Sequence, residues 1–297
     1  MSAEKGKESS LAFGGQALIE GVMMRSRKHM VFCVRKPSDN EILTNIENLN
    51  PLADKHKFLG VPFLRGIVSL VETLYLGMKG LLFSANAALD EGEGEKSITL
   101  GYKELAVISA GALGIIALFF VVPFLLAGLL NLTGVLFNVM EALIRLTMFI
   151  LYLALIAAWG EFRRVLQYHG AEHKAINAYE AGVPLEIANV KRFSRLHPRC
   201  GTSFLFIVVI ISIVLFSIMP SADYVIRLAY RILLIPVIAS LSYELLRLSG
   251  KHQNSMVMKI LTGPGLAFQL LTTKEPSDDM LEVSVKAVQE VAKLSEK

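Results

Sequence analysis

Apolar positions along this 297-residue chain gather into long blocks instead of spreading evenly. Residues 105–130 contain no charged side chain, a run long enough for a tilted crossing of a hydrocarbon core about 30 Å thick. Asn131-Leu132-Thr133-Gly134 reads as a tight turn. A second block, 135–159, is broken only by Glu141 and Arg145, four residues apart and therefore on one helical face. A third block covers 202–219, and Pro220-Ser221-Ala222-Asp223 turns the chain again. The fourth runs from Tyr224 to about Leu246 and carries Arg227, Arg231 and, near its end, Glu244. The pattern predicts four spans.

Outside these blocks the periods are shorter. Met30–Arg35 and Glu41–Ile46 are short strand-like runs joined by Lys36-Pro37-Ser38-Asp39-Asn40, a turn signal, and predict a β-hairpin. The preceding stretch, Phe13 to Arg25, is punctuated by glycines but matches no phosphate-loop spacing. From Pro62 to Leu89 the chain is apolar and helical, with Arg65, Glu72 and Lys79 recurring every seventh residue on one side. Each charge at the centre of a span costs about 2.5–3.5 kcal/mol, so an interfacial or re-entrant amphipathic helix is favoured over a crossing one, with an ordinary buried helix as the plainer alternative. An acidic linker, Asp90 to Lys96, follows. After the last span Gly263-Pro264-Gly265 interrupts an apolar stretch, Met256–Leu271, too broken to span. Pro276 and Ser277, with Asp278 and Asp279 behind them, open a C-terminal amphipathic helix whose apolar face should dock on the cytoplasmic part. The expected fold is an all-α membrane protein: four transmembrane helices, amphipathic cytoplasmic helices and a small N-terminal α/β segment. Its divisions fall at 1–60, 61–98, 99–159, 160–201, 202–247 and 248–297.

Composition sharpens this picture. The chain is 53% hydrophobic and only 19% charged, against about a quarter charged in ordinary soluble domains. The 160–201 segment carries Arg163, Arg164, Lys174, Lys191, Arg192, Arg195 and Arg199, whereas the two short turns carry neither lysine nor arginine. The positive-inside rule then places that segment and both termini in the cytoplasm. The first dozen residues are polar and predict no cleaved signal peptide. Two cysteines, Cys33 and Cys200, cannot form a disulfide framework. No basic run interleaved with aromatics is present, so nucleic acid is not an expected partner. The lipid bilayer is, together with other membrane proteins or further copies of the chain.

The chemistry concentrates in the polar segment. On a helix His169, Glu172 and His173 stand at i, i+3 and i+4 and leave from one face. Two imidazoles one turn apart can share a metal, and a carboxylate beside them can take a proton from water. His-x-x-Glu-His is the inverse of the common zinc-protease motif. His197 and Cys200, in His197-Pro198-Arg199-Cys200-Gly201, are competent further ligands, and Glu244 is another candidate. A plainer reading makes the histidines interfacial groups, the His197–Gly201 segment a chain reversal, and Glu244 a partner for Arg247. Glu141 and Arg145 read as an ion pair, and Arg227 and Arg231 as side chains that snorkel to the outer surface.

Five segments in order carry a resemblance: GQALIEGVMMR at 15–25, YHGAEHK at 168–174, RLHPRCGTSF at 195–204, SYEL at 242–245 and LTTKEP at 271–276. Together they resemble the bacterial YqhQ-like family over roughly residues 13 to 292. One departure is Ser26, where the family often has glycine. The resemblance implies a membrane protein of unknown function, labelled a predicted metal-dependent enzyme on the strength of the same His/Glu/Cys pattern.

The expectation is a zinc-dependent hydrolase at the cytoplasmic membrane face. His169 and His173 would hold Zn2+, His197, Cys200 or Glu244 would complete the shell, and Glu172 would be the general base. The substrate would be a membrane-protein segment or a lipid headgroup. The rival is a non-enzymatic channel, transporter or assembly factor in which the cluster is structural. A pore would have Glu141 and the arginines facing a wet interior, in an oligomer.

Overall fold

The computed structural model describes residues 13–89, 101–219, 223–251 and 255–296, which are mostly helical with one small antiparallel sheet. The expected acidic linker at Asp90 to Lys96 and the turn at 220–222 lie outside the described residues. The sheet is a meander of β1 (Gly14–Leu18), β2 (Gly21–Arg25), β3 (His29–Arg35) and β4 (Ile42–Asn48). The β3–β4 hairpin stands where the two strand-like runs and the turn chemistry between them put it. The glycine-punctuated stretch before it is a second hairpin: Leu18 faces Gly21 across Ile19-Glu20, with Glu20 at φ 51°. Gly21 is obligatory there, because a Cβ would lie 2.3 Å from the Cys33 carbonyl oxygen.

Both faces of this sheet are covered, which explains why β2 and β3 read as continuous apolar runs and not as clean alternation. One face presents Val22, Met24, Val31 and Cys33, and the other presents Leu18, Met23, Met30, Phe32 and Val34. A one-turn helix, α1 (Leu52–Lys55), and a 3-10 turn lead into α2 (Leu64–Leu89), whose later turns cover the second face through Leu76, Leu81, Phe83 and Ala87. The charged stripe of α2 faces protein. Arg65 pairs with Glu244, Glu72 accepts from the Leu52 amide at 2.6 Å, and Lys79 meets Glu47 at 2.6 Å. Its apolar stripe, Ile67, Val71 and Leu74, is the exposed one.

Next come α3 (Tyr102–Ile116), a π-helical turn (Ala117–Val121), α4 (Val122–Gly128) and α5 (Gly134–Ala158). The chain kinks at Trp159 into α6 (Gly160–Glu180) and passes the short α7 (Ile187–Val190). Beyond these lie α8 (Gly201–Ser217), α9 (Tyr224–Leu233), α10 (Ile235–Lys251), α11 (Met256–Thr272) and α12 (Asp278–Ser295). Among the described residues, three helical stretches are long and apolar enough to cross a membrane: Leu64–Ala88, Leu105–Gly128 and Gly134–Ala158. A fourth is added if α9 and α10, bent by 41°, count as one. Pro236 accounts for the bend, since its ring removes a donor and clashes with the carbonyl one turn back. Helix α8 is apolar throughout but only 17 residues long. The set therefore differs from the four expected blocks in admitting α2 by length and in leaving α8 short.

Two further departures have plain causes. Helix α11 runs unbroken through Pro264, and Gly265 lets it press on α8, where a Cβ would meet Ser203 Oγ at 2.9 Å. Arg231 does not snorkel: it is 1% exposed and grips the Glu141 carboxylate, which also pairs with Arg145 at 2.6 Å. The π-helical turn belongs to this network. Pro123 has no N–H for the Phe119 carbonyl, and the Arg145 Nε–H donates to that oxygen at 2.9 Å instead. Left unpaired, such a buried carbonyl would cost about 1–3 kcal/mol.

The first face of the sheet is closed by α6 and α12. Helix α6 presents Tyr168, Ala171, Ala175 and Ala178, with alanines at i, i+4 and i+7 permitting close approach. Helix α12, with Asp278 and Asp279 in its first turn, inserts Met280, Leu281, Val288 and Val291. This layer holds the polar cluster in place.

Candidate metal centre

His169 and His173 lie one turn apart on α6, and their rings meet edge to face with centroids 4.5 Å apart. Each ring is anchored by a backbone carbonyl. His169 Nδ1 lies 2.8 Å from the Thr272 oxygen, and His173 Nδ1 lies 2.6 Å from the Arg195 oxygen. A carbonyl can only accept, so both Nδ1 atoms carry hydrogen, and Nε2 is the atom that offers a lone pair when the ring is neutral. His169 Nε2 is 3.2 Å from Cys200 Sγ. One ligand atom each from His169, His173 and Cys200 lie within 4.8 Å of one another. Burial holds His173 below the usual histidine range, with the Cys200 thiol pulling the other way. A neutral imidazole is the form that binds a metal.

Cys200 caps α8, its sulfur accepting from the Thr202 amide at 3.5 Å. The loop before it is clamped by Gln269, which is fully buried. The His197 amide donates to Gln269 Oε1 at 2.8 Å, and Gln269 Nε2 donates to the His197 carbonyl at 2.8 Å and to Ser203 Oγ at 3.2 Å.

The remaining sequence candidates sit differently. The His197 ring is 5.7 Å from that of His173, outside the group of three, with its Nε2 3.5 Å from Glu180. Burial lowers its pKa, and Glu172 opposes the shift. Glu172 is enclosed under the first hairpin, where a Cβ on Gly15 would lie 2.6 Å from its Oε1. Burial raises its pKa, while His169 and His197 pull it down. Glu244 is not brought to the cluster: both its oxygens are taken by the Arg65 guanidinium, 179 residues away in sequence.

The donor set, two imidazoles and one sulfur, fits a borderline-soft ion such as zinc, which His169, His173 and Cys200 would hold. Second partners on both histidines are the usual accompaniment of such sites. Sequence reasoning missed Gln269 and the carbonyls of Thr272 and Arg195. Backbone carbonyls carry no side-chain signal, although Thr272 does fall within the LTTKEP segment.

The fold and cluster together define a class: a helix-rich chain with three or four apolar helices of spanning length, carrying a His–His–Cys cluster on a layer built around a small sheet. The chain belongs to the family described as a protein of unknown function (DUF1385), whose family model matches residues 61–294. It is 36% identical over 299 residues to the uncharacterized protein YqhQ of Bacillus subtilis (strain 168), an alignment covering 95% of this chain and 93% of that one. No solved structure matches it.

Proposed function

We propose that this chain is a multi-pass protein of the bacterial inner membrane and a metal-dependent hydrolase, with its centre at the cytoplasmic face. Support for the membrane comes from inverted polarity. Leu105, Val107, Leu113, Leu151 and Leu155 are exposed on the long helices, while Glu141, Arg145 and Arg231 are buried among them. That is the arrangement lipid favours, since ionisable groups turn to the bundle interior. Trp159 and Phe162, stacked at the kink between α5 and α6, suit the headgroup level. The exposed apolar stripe of α2 suits a helix lying in the interface.

One observation carries the chemical reading: both histidines are held at Nδ1 by carbonyls, and one ligand atom of each gathers with that of Cys200 within 4.8 Å. His169, His173 and Cys200 would hold Zn2+ and leave one position open, as catalytic sites do. The ion would supply Lewis acidity toward water and toward a carbonyl or phosphoryl oxygen. Glu172, buried beside His169 and His197, is the group to hold or release a proton. A membrane-protein segment or a lipid headgroup could reach a centre at this level.

A second reading rests on His197. Were its ring to turn the distance that separates it from the group, four protein ligands would close the site. The metal would then be structural, in a channel, transporter or assembly factor. Elemental analysis of the full chain purified in detergent tests both. The expected result is near-stoichiometric zinc, lost in the His169→Ala/His173→Ala double variant with helicity retained. X-ray absorption of the loaded protein should then count three protein ligands and one water. Four protein ligands would favour the structural reading, and failure to take up zinc even when it is supplied would sink both.

A further inference from the structure

At the opposite end of the bundle from the histidines, three guanidinium groups stand against one carboxylate. Glu141 and Arg145 are on α5, Arg227 and Arg231 on α9. Glu141 is fully engaged: Oε1 accepts from Arg145 at 2.6 Å and from Arg231 Nε at 3.0 Å, and Oε2 accepts from Arg231 as well. Arg145 spends its other donors on the Phe119 carbonyl at 2.9 Å and on Ser212 Oγ at 3.2 Å. Arg231 uses NH1 on the Arg227 carbonyl at 3.2 Å. Those two arginines are satisfied, and aromatic faces stabilise their shared charge: Phe216 lies 4.8 Å from the Arg145 guanidinium and Phe124 lies 4.5 Å from that of Arg231.

Arg227 differs. Its guanidinium rests on the Phe137 ring at 3.9 Å and makes one hydrogen bond among the described residues, NH2 to Asn138 Oδ1 at 3.5 Å. It is partly exposed, and it lies three residues into α9, about 5 Å from the helix end. Counting side chains, the centre carries three positive charges and one negative. Excess charge in apolar surroundings is costly unless an opposite charge approaches.

We infer that Arg227, with Asn138 beside it and the Glu141–Arg231 pair behind it, forms a binding site for a phosphate-type oxyanion at this end of the bundle. The guanidinium offers a planar fork that matches phosphate geometry, stacking on Phe137 orients the fork, and the Asn138 amide can add a further donor. At this depth the ligand is the phosphate of a lipid headgroup or a free phosphate ion. The inference does not depend on any metal at the histidine cluster.

The test uses the full chain in detergent, with thermal unfolding and native mass spectrometry as readouts. Dioctanoyl phosphatidylglycerol and inorganic phosphate are titrated separately against chloride at matched ionic strength. The wild type should show a saturable rise in unfolding midpoint and a retained adduct. Arg227→Gln should weaken the apparent affinity about tenfold, as loss of a charge-assisted pair implies. A response to the lipid alone identifies the headgroup, and a response to phosphate alone identifies the free ion. Should Arg227→Gln fail to fold, Arg227→Lys keeps the charge, loses the fork, and should still bind more weakly than wild type. No response beyond chloride in the wild type, or a wild-type response in a folded Arg227 variant, overturns the inference.

Discussion

At the scale of single residues, the two cysteines have opposite environments and should behave oppositely. Cys33 is enclosed between the sheet and α12, and burial pushes its thiol up to about 11. Cys200 is half-buried at the start of α8, with His169 Nε2 3.2 Å from its sulfur and a His173 ring nitrogen within 4.8 Å. At pH 8 iodoacetamide should modify Cys200 in the folded protein and leave Cys33 untouched. Added zinc should slow the reaction at Cys200, because coordination draws negative charge off the sulfur and shields it from the reagent. Equal modification with and without zinc would argue against coordination there. The raised thiol of Cys33 also sets a sign for stability. Its folded value lies above the ordinary thiol value of about 8.5, so above that pH the unfolded chain releases the proton first. The contribution of Cys33 is therefore intact below about 8.5 and falls as pH rises through about 11. Thermal midpoints measured at pH 8 and pH 10.5 should drop in the wild type, and the Cys33→Ala variant should drop less.

At the scale of elements, the cluster depends on the extended segment between α11 and α12 lying hard against α6. The Lys274 amide donates to the Leu166 carbonyl at 2.8 Å, and a Cβ on Gly170 would sit 2.2 Å from the Lys274 oxygen. Gly170 thus sets the closeness that delivers the Thr272 carbonyl to His169. Gly170→Ala should cost about 1–3 kcal/mol through backbone displacement. It should also weaken zinc binding, about 10- to 100-fold if the partner of His169 is lost. Equilibrium dialysis beside thermal unfolding separates the two effects, and unchanged zinc affinity in a destabilised variant would show that this carbonyl does not matter. The same elements show where sequence reading succeeds and fails. The β3–β4 hairpin and α12 were legible because local turn, cap and period agree. The first hairpin was not, because burial on both faces erases alternation and its glycines serve close packing. His169, His173 and Cys200 were legible as candidates because side-chain chemistry and spacing suffice to single them out. That Glu244 belongs to Arg65 and His197 to a glutamine clamp depends on contacts between distant parts of the chain, which no local spacing encodes.

At the scale of the whole molecule, orientation is decided by charges that the folded state largely pairs off. Arg164 meets Glu20, Lys174 meets Glu275, Lys191 meets Asp278 and Arg199 meets Glu180. Pairing would weaken a net-charge argument, but the positive-inside bias acts on the inserting chain, before those partners assemble, and acidic residues contribute little to it. The segment 160–201 should therefore remain on the cytoplasmic side, with the turn at Asn131 outside. This can be read from single cysteines placed at Asn131 and Ala188, both exposed, in a chain carrying Cys33→Ala and Cys200→Ala. On spheroplasts an impermeant maleimide should label the Asn131→Cys variant at once and the Ala188→Cys variant only after permeabilisation. The reverse pattern would put the histidine cluster on the outer face, where a cytoplasmic hydrolase could not work. Labelling of both before permeabilisation would remove the membrane barrier between them, and with it the reading of Leu105–Gly128 and α5 as a spanning pair.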